Sequence, residues 1–281
     1  MNHKLKTKVT AAVAFVLAAV TSAQSGPLTD RIKSGNAIRI GFASEPPFAF
    51  PGSNKKPLGF ANAVALGTLK KMGYTNIESV VTDWGGMIPG LVANRLDLVT
   101  GGMYILSERC TNVAFSEPIG RFGDAFIVPK GNPKGLNDYK DIVARGAILA
   151  TVVGHNTIGA AKKEGVPDAN VTQLPGVTEL LAAVKSGRAD AGALPALSAN
   201  RLASLNADTI EATNSDALPD WTFNWIGLGF RKDDADFLKE FNTALNDYLH
   251  SPEMLAAVEQ FEYLPSNLPG DTKTEWVCKN R

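Results

Sequence analysis

The sequence predicts an α/β fold of about two domains. Three observations predict it. Short apolar, strand-like runs alternate with segments of helical period, short Gly- or Pro-marked turns separate them, and 281 residues are enough for two cores. Repeated β-α alternation implies a mostly parallel sheet with helices on both faces.

Residues 1–23 stand apart from that pattern. Lys4, Lys6 and Lys8 precede an apolar run from Ala11 to Val20, and Thr21-Ser22-Ala23 supplies small residues for cleavage, which together read as a secretory signal peptide. The apolar run is too short to span a bilayer, and no later segment is long enough either. Without the leader, the 28 acidic side chains exceed the basic ones by three, so the charge balance indicates no nucleic-acid partner. The first cysteine is Cys110, leaving none at the cleavage site to carry a lipid, so the expected location is the periplasm in freely soluble form. Export permits a disulfide between Cys110 and Cys278, the two thiols of the chain. Two separate buried thiols are the alternative.

A short helix over Leu28 to Lys33 is followed by the first strand, Ala37 to Phe42. That strand runs into Ser44-Glu45-Pro46-Pro47-Phe48, where two prolines end strand pairing and stiffen the loop. Glu45 and Phe48 are thereby held at the carboxyl end of the strand, the edge at which open α/β sheets bind ligands. A helix over Ala61 to Met72 places Ala65, Leu69 and Met72 on one side and stops at Gly73. The strand Ile77 to Val81 delivers Trp84.

From Trp84 the chain reads as a glycine turn, a short helix with Met87, Ile88, Leu91 and Val92 on one face, and a buried strand over Leu96 to Thr100. A loop holding Met103 and Tyr104 is expected next, then a helical turn capped by Ser107, and a strand over Val113 to Phe115. Beyond it, Ala125 to Val128 is a strand stopped by Pro129, Asp138 to Ala144 a helix, and Ile148 to Val153 a strand. That strand ends in Gly154-His155-Asn156-Thr157 before a helix through Lys163, a strand–turn–helix junction whose first N–H groups suit a carboxylate. The alternation continues as strand Val171 to Leu174, helix Val177 to Lys185 and strand Ala189 to Leu194, and closes with helices over Asp233 to His250 and Pro252 to Phe261.

An aromatic residue at Trp84, a helix ending near Leu96-Asp97-Leu98, a loop with Met103, then Arg109 and Phe115-Ser116-Glu117-Pro118 recur in this order in a known family. The chain resembles the polar amino-acid family (family 3) of extracytoplasmic solute-binding proteins, which feed ABC importers. The resemblance implies a two-lobe periplasmic-binding-protein architecture with a ligand cleft between lobes and two hinge crossings. Residues 24–119 and 226–281 would form one lobe and 120–225 the other, with crossings near Gly120 to Gly123 and near Trp221 to Trp225. It also implies that Arg109 holds a ligand carboxylate while Trp84 and Tyr104 close over the ligand. Asn156, Thr157 and Pro195 would face them from the second lobe. The implied partners are a small zwitterionic solute and an ABC permease of the inner membrane. The protein is expected to be a monomer with no cofactor and no metal.

Two departures from the family pattern bear on the solute. Amino-acid binders of this family grip an α-ammonium with the last acid of a D-A-x-x-x-D segment, and here Asp190-Ala191-Gly192-Ala193-Leu194 ends in Pro195. The usual G-F-D is Gly59-Phe60-Ala61. The carboxylate grip is kept and the ordinary ammonium grip is lost. Arg109 for an anion, Glu45 for a cation, and Phe48, Trp84 and Tyr104 for a flat positive charge remain. Within the family this set is most similar to the binding components of ectoine/hydroxyectoine importers. Betaines ask for a similar cage without needing Glu45.

Periplasmic dehydratases share this architecture, so catalysis is a rival reading. His155 and His250 are the histidines outside the leader. His250 stands at a helix end beside Ser251-Pro252, where capping suffices, and His155 has no acid or serine partner visible in the sequence. A sensor that presents its liganded form to a membrane receptor would have the same soluble chain.

Overall fold

The computed structural model describes residues 26–281. The leader read at residues 1–23 lies outside the described residues. The strands of the first part of the chain are β1 (Ile38–Phe42), β2 (Phe50–Pro51), β3 (Pro57–Leu58), β4 (Ile77–Val81), β5 (Leu98–Tyr104), β6 (Ala114–Phe115) and β7 (Gly120–Phe122). Those that follow are β8 (Asp124–Pro129), β9 (Leu149–Val152), β10 (Val171–Leu174), β11 (Ala191–Pro195), β12 (Ile210–Ala212) and β13 (Asn224–Phe230).

Two sheets divide the protein into two lobes. The first runs β4-β1-β5-β13-β6, with β7 also paired to β13, and the second runs β10-β9-β11-β8-β12. The β4-β1-β5 and β10-β9-β11 neighbours are parallel, as β-α alternation requires. The remaining pairings, on β13 and on β8, are antiparallel, so both sheets are mixed rather than mostly parallel. The cause is the chain path. Strands β8 and β13 carry the chain from one lobe to the other, and each enters its new sheet against the direction of the strands already there. Sheet membership changes between Phe122 and Asp124 on the way out and before Asn224 on the way back.

The first lobe's core lies between its sheet and the helices Phe60–Lys71, Ala235–Leu249 and Pro252–Glu259. Val64, Ala65 and Leu69 present one buried helical stripe to Phe241 and Leu245 of the second helix. Burial of each large aliphatic side chain contributes about 1.5–3 kcal/mol. The helix stops at Gly73, which takes a φ of 87° that a side chain would oppose. In the second lobe, Asp138 caps Tyr139–Arg145 through a reciprocal pair with Asp141, and Tyr139 and Ile142 bury against Phe126 and Leu149.

Three local expectations are corrected. Met103 and Tyr104 belong to strand β5, not to a loop, because Ile226 and Gly227 of β13 supply the pairing partners. Gly102 absorbs the associated shift of register with a φ of 74°. Ser107 is the first residue of its helical turn rather than the cap, and its hydroxyl donates to the carbonyl of Cys278 at 2.6 Å. The helices Ala196–Leu205 and Thr274–Asn280 have no counterpart in the sequence reading.

Candidate functional site

The site is built where strand ends of the two lobes meet. On the first lobe, the loop after β1 carries Glu45, and reciprocal backbone bonds between Glu45 and Ala49 (2.7 and 3.1 Å) close it. A 3₁₀ turn after β4 carries Trp84, the end of β5 carries Tyr104, and the helical turn Ser107–Cys110 carries Arg109. On the second lobe, β9 runs through Gly154 and His155 into the helix Asn156–Lys163. Strand β11 ends at Pro195, the residue before the helix Ala196–Leu205.

Contacts cross between the lobes at Glu45, Trp84 and Arg109. Arg109 is buried, with Nη1 donating to the Tyr104 carbonyl and Nη2 to the Gly154 carbonyl, each at 2.8 Å. Trp84 Nε1 donates to the same Gly154 oxygen at 3.2 Å, and its ring meets the His155 ring edge-on at 4.7 Å between centroids. Glu45 Oε2 stands 3.2 Å from His155 Nε2, and its Oε1 accepts from the Ser198 hydroxyl at 3.3 Å. Glu45 and His155 are 3% and 5% exposed, so this acid–imidazole contact is shielded from water. His155 therefore has an acid partner that the sequence does not reveal, one supplied across the cleft.

The remaining predicted residues take different places. Tyr104 directs its hydroxyl to the carbonyls of Phe122 and Gly123, at 3.3 and 3.1 Å, which pins it to the outgoing hinge. Burial holds that phenol well above its ordinary pKa. Asn156 faces the hinge and donates to Asp124 Oδ2 at 2.6 Å. Thr157 is buried within the second lobe, its hydroxyl bonded to that of Thr151. Pro195 is buried opposite Asp124 in the β11–β8 register. Phe48 packs on Phe60 and Phe122, with centroids 4.9 and 5.1 Å away, inside the first lobe's apolar core. Cys110 and Cys278 are joined, which ties the terminal helix beside Arg109. His250 is the last-turn cap of Ala235–Leu249, and the Ser251 hydroxyl caps the next helix through Met254 N–H.

Asp124 was missed by sequence reasoning. It opens β8, is fully buried, and burial pushes its carboxyl up to about 8, with Glu45 adding to the rise. Hydrogen bonding from Asn156, then the Tyr104 hydroxyl and the Arg109 charge, work in the opposite direction. The signal available in the sequence is an acid placed directly after Gly123 and ahead of the apolar run Ala125 to Val128. Burial also lowers the Arg109 guanidinium to about 10, which leaves it charged at neutral pH. Outward from Glu45, Trp84 and His155, the cleft opens into a cavity of about 330 Å³ whose far wall is Val177 to Glu179. Among the described residues no cluster of His, Cys, Asp and Glu is arranged to hold a metal ion, and no helix is long and apolar enough to cross a membrane.

Two lobes on mixed sheets, two chain crossings and a buried, charged cleft define a hinged binding protein. Residues 38–262 match the bacterial extracellular solute-binding proteins, family 3, and the chain belongs to that family. It is 34% identical over 280 residues to the probable amino-acid ABC transporter periplasmic-binding protein y4tE of Sinorhizobium fredii, covering 96% of this chain and 93% of that one. Among solved structures it is similar to EhuB in complex with hydroxyectoine, with a TM-score of 0.81 and 32% identity over 90% of this chain and 98% of that one. It is also similar to the ancestral amino acid-binding protein AncCDT-1, a precursor of cyclohexadienyl dehydratase, with a TM-score of 0.72 and 28% identity over 83% and 98%.

Proposed function

We propose that the protein is the periplasmic receptor of an ABC importer and captures a compact zwitterion, ectoine or hydroxyectoine, between its lobes. The observation that carries this reading is that Arg109 and Glu45, both on the first lobe, are both buried where the lobes meet. A guanidinium and a carboxylate shielded from water match a neutral ligand with separated charges, because each is costly to leave uncompensated. Trp84 adds an aromatic surface beside them, suited to a flat cation. The similarity to EhuB and to the y4tE protein supports both the solute class and the importer. The solute takes over part of the Glu45–His155 contact, and closure follows from its added bonds to the second lobe.

Titration calorimetry with hydroxyectoine tests the reading. Glu45→Gln should weaken hydroxyectoine binding about tenfold or more, since a hydrogen bond to a charged group contributes about 1.5–3 kcal/mol. The same change should leave glycine betaine, which lacks an N–H, nearly unaffected. Tighter binding of glutamine or arginine than of hydroxyectoine would refute the solute.

One observation favours a second reading. Glu45 and His155 form an acid–base pair of the kind a dehydratase needs, within a fold also used by a dehydratase precursor. Recovery of the bound solute unchanged after long incubation supports pure binding, and a converted product supports catalysis.

A further inference from the structure

Where the outgoing hinge enters the second lobe lies a buried carboxyl group that the proposed capture does not use. Asp124 Oδ2 accepts from Asn156, but Oδ1 is buried with no hydrogen-bonding partner. The Tyr104 hydroxyl lies close enough to influence the carboxyl, yet donates to the carbonyls of Phe122 and Gly123. The strand partner of Asp124 is Pro195, whose ring offers no donor. A buried oxygen without a hydrogen-bonding partner is costly whether it is a bare acceptor or carries the carboxyl proton, so Oδ1 is a polar atom that a bound group can satisfy.

We propose that Asp124 is a second acidic anchor of the binding site, receiving an N–H-bearing cationic group of the solute while Arg109 holds its carboxylate. The inference rests on the reading of the cleft as a zwitterion site and narrows the solute class. Tyr104, Glu45 and Arg109, all on the first lobe, bear on Asp124 electrostatically, and Asn156 bonds to it from the second. Tyr139, on the second lobe's first helix, also lies within its field. Asp124 therefore sits within the field of the same groups that define the site. A cation with two N–H groups, such as an amidinium, can serve Glu45 and Asp124 together. A fully alkylated ammonium has no N–H and leaves Oδ1 as it is.

The proton balance follows from the burial of the carboxyl. With its carboxyl held near 8, Asp124 is mostly neutral at neutral pH. A cationic N–H on Oδ1 favours the carboxylate, so binding expels the carboxyl proton to solvent.

Calorimetry on the mature protein in two buffers of different ionisation enthalpy, at pH ~6.5, reads affinity and proton release together. The probes are hydroxyectoine, arginine and glycine betaine, and the variants are Asp124→Asn and Asp124→Ser, each checked for a cooperative thermal melt. The parent should release roughly one proton on binding hydroxyectoine, and both variants should bind it about tenfold or more weakly with no release. Variants that bind as tightly as the parent, or still release the proton, overturn the role of Asp124 and leave the solute assignment standing. Arginine bound in place of hydroxyectoine, with the same dependence on Asp124, overturns the solute assignment and supports the anchor. Glycine betaine bound as tightly as hydroxyectoine overturns the N–H requirement. A parent that binds none of the three counts against both proposals.

Discussion

Arg109 and Trp84 donate to one oxygen. Arg109 Nη2 and Trp84 Nε1 reach the Gly154 carbonyl at 2.8 and 3.2 Å, so a single peptide of the second lobe ties together two elements of the first. The turn at Gly154 thus meets the first lobe as an acceptor. Its geometry joins the lobes and leaves further N–H groups on Arg109 that the Tyr104 and Gly154 carbonyls do not use.

That arrangement makes Arg109→Lys a severe change despite its unchanged charge. A planar guanidinium holds the Tyr104 and Gly154 carbonyls at once and still has donors for a carboxylate, whereas an ammonium cannot match that fork. Losing a charge-assisted bond of about 1.5–3 kcal/mol predicts solute affinity lower by about ten- to a hundredfold. Calorimetry checks it, and equal affinity would place the carboxylate elsewhere.

Gly154→Ala should block closure. The Cβ it introduces would stand 3.2 Å from Trp84 Cδ1 and 3.3 Å from Gly85 Cα, both on the opposite lobe. The φ of 83° adds a cost of about 1–2 kcal/mol for an L side chain. Small-angle scattering should show the parent compacting with hydroxyectoine and the variant remaining extended. A variant that compacts as fully as the parent would mean that the lobes do not meet at Gly154 in the liganded state.

The bond between Cys110 and Cys278 closes a span of 168 residues and anchors the terminal helix, whose Cys278 and Arg281 carbonyls accept from Ser107. Replacing both cysteines with serine should cost about 2–4 kcal/mol of stability by releasing the unfolded chain. At ~2–4 °C per kcal/mol for a chain of this size, the loss is large enough to read in a thermal melt. Unchanged melting under reducing conditions would remove the bond from the stability of the fold.

How much of this was legible depended on the range of the interaction. Strands β4 and β10 and the helix Val177–Lys185 lie where local signals put them, because each is a short segment of β-branched residues or of helical period set between turn residues. Tyr104 was misplaced because Gly101 and Gly102 read as a loop, and only β13, far along the chain, supplies the pairing that makes them strand. The helix after Pro195 was missed, although a proline in the position before a helix is tolerated because that residue needs no N–H donor. The site divides in the same way. Glu45, Trp84 and Arg109 stand beside local turn and helix signals, whereas the Glu45–His155 contact and the setting of Asp124 exist only once two lobes meet.

Asp124 gives that meeting a signature in the pH dependence of stability. Its folded value of about 8 lies above the ordinary carboxyl value of about 3.9 expected in the unfolded chain, and burial is the leading cause. Between those values the folded state holds a proton that the unfolded state has lost. Stability therefore falls as pH rises through this window, and the contribution is fully present only below it. Asparagine cannot ionise and keeps an oxygen for Asn156, so Asp124→Asn should remove the slope while retaining the contact. Thermal melts of ligand-free parent and variant should show the variant gaining on the parent from pH ~5 to pH ~8 and holding a constant lead above that. Other titrating groups are common to both proteins and cancel in the difference. A constant difference across the window would mean that the folded protein already carries Asp124 as a carboxylate, with Arg109 and Asn156 outweighing its burial.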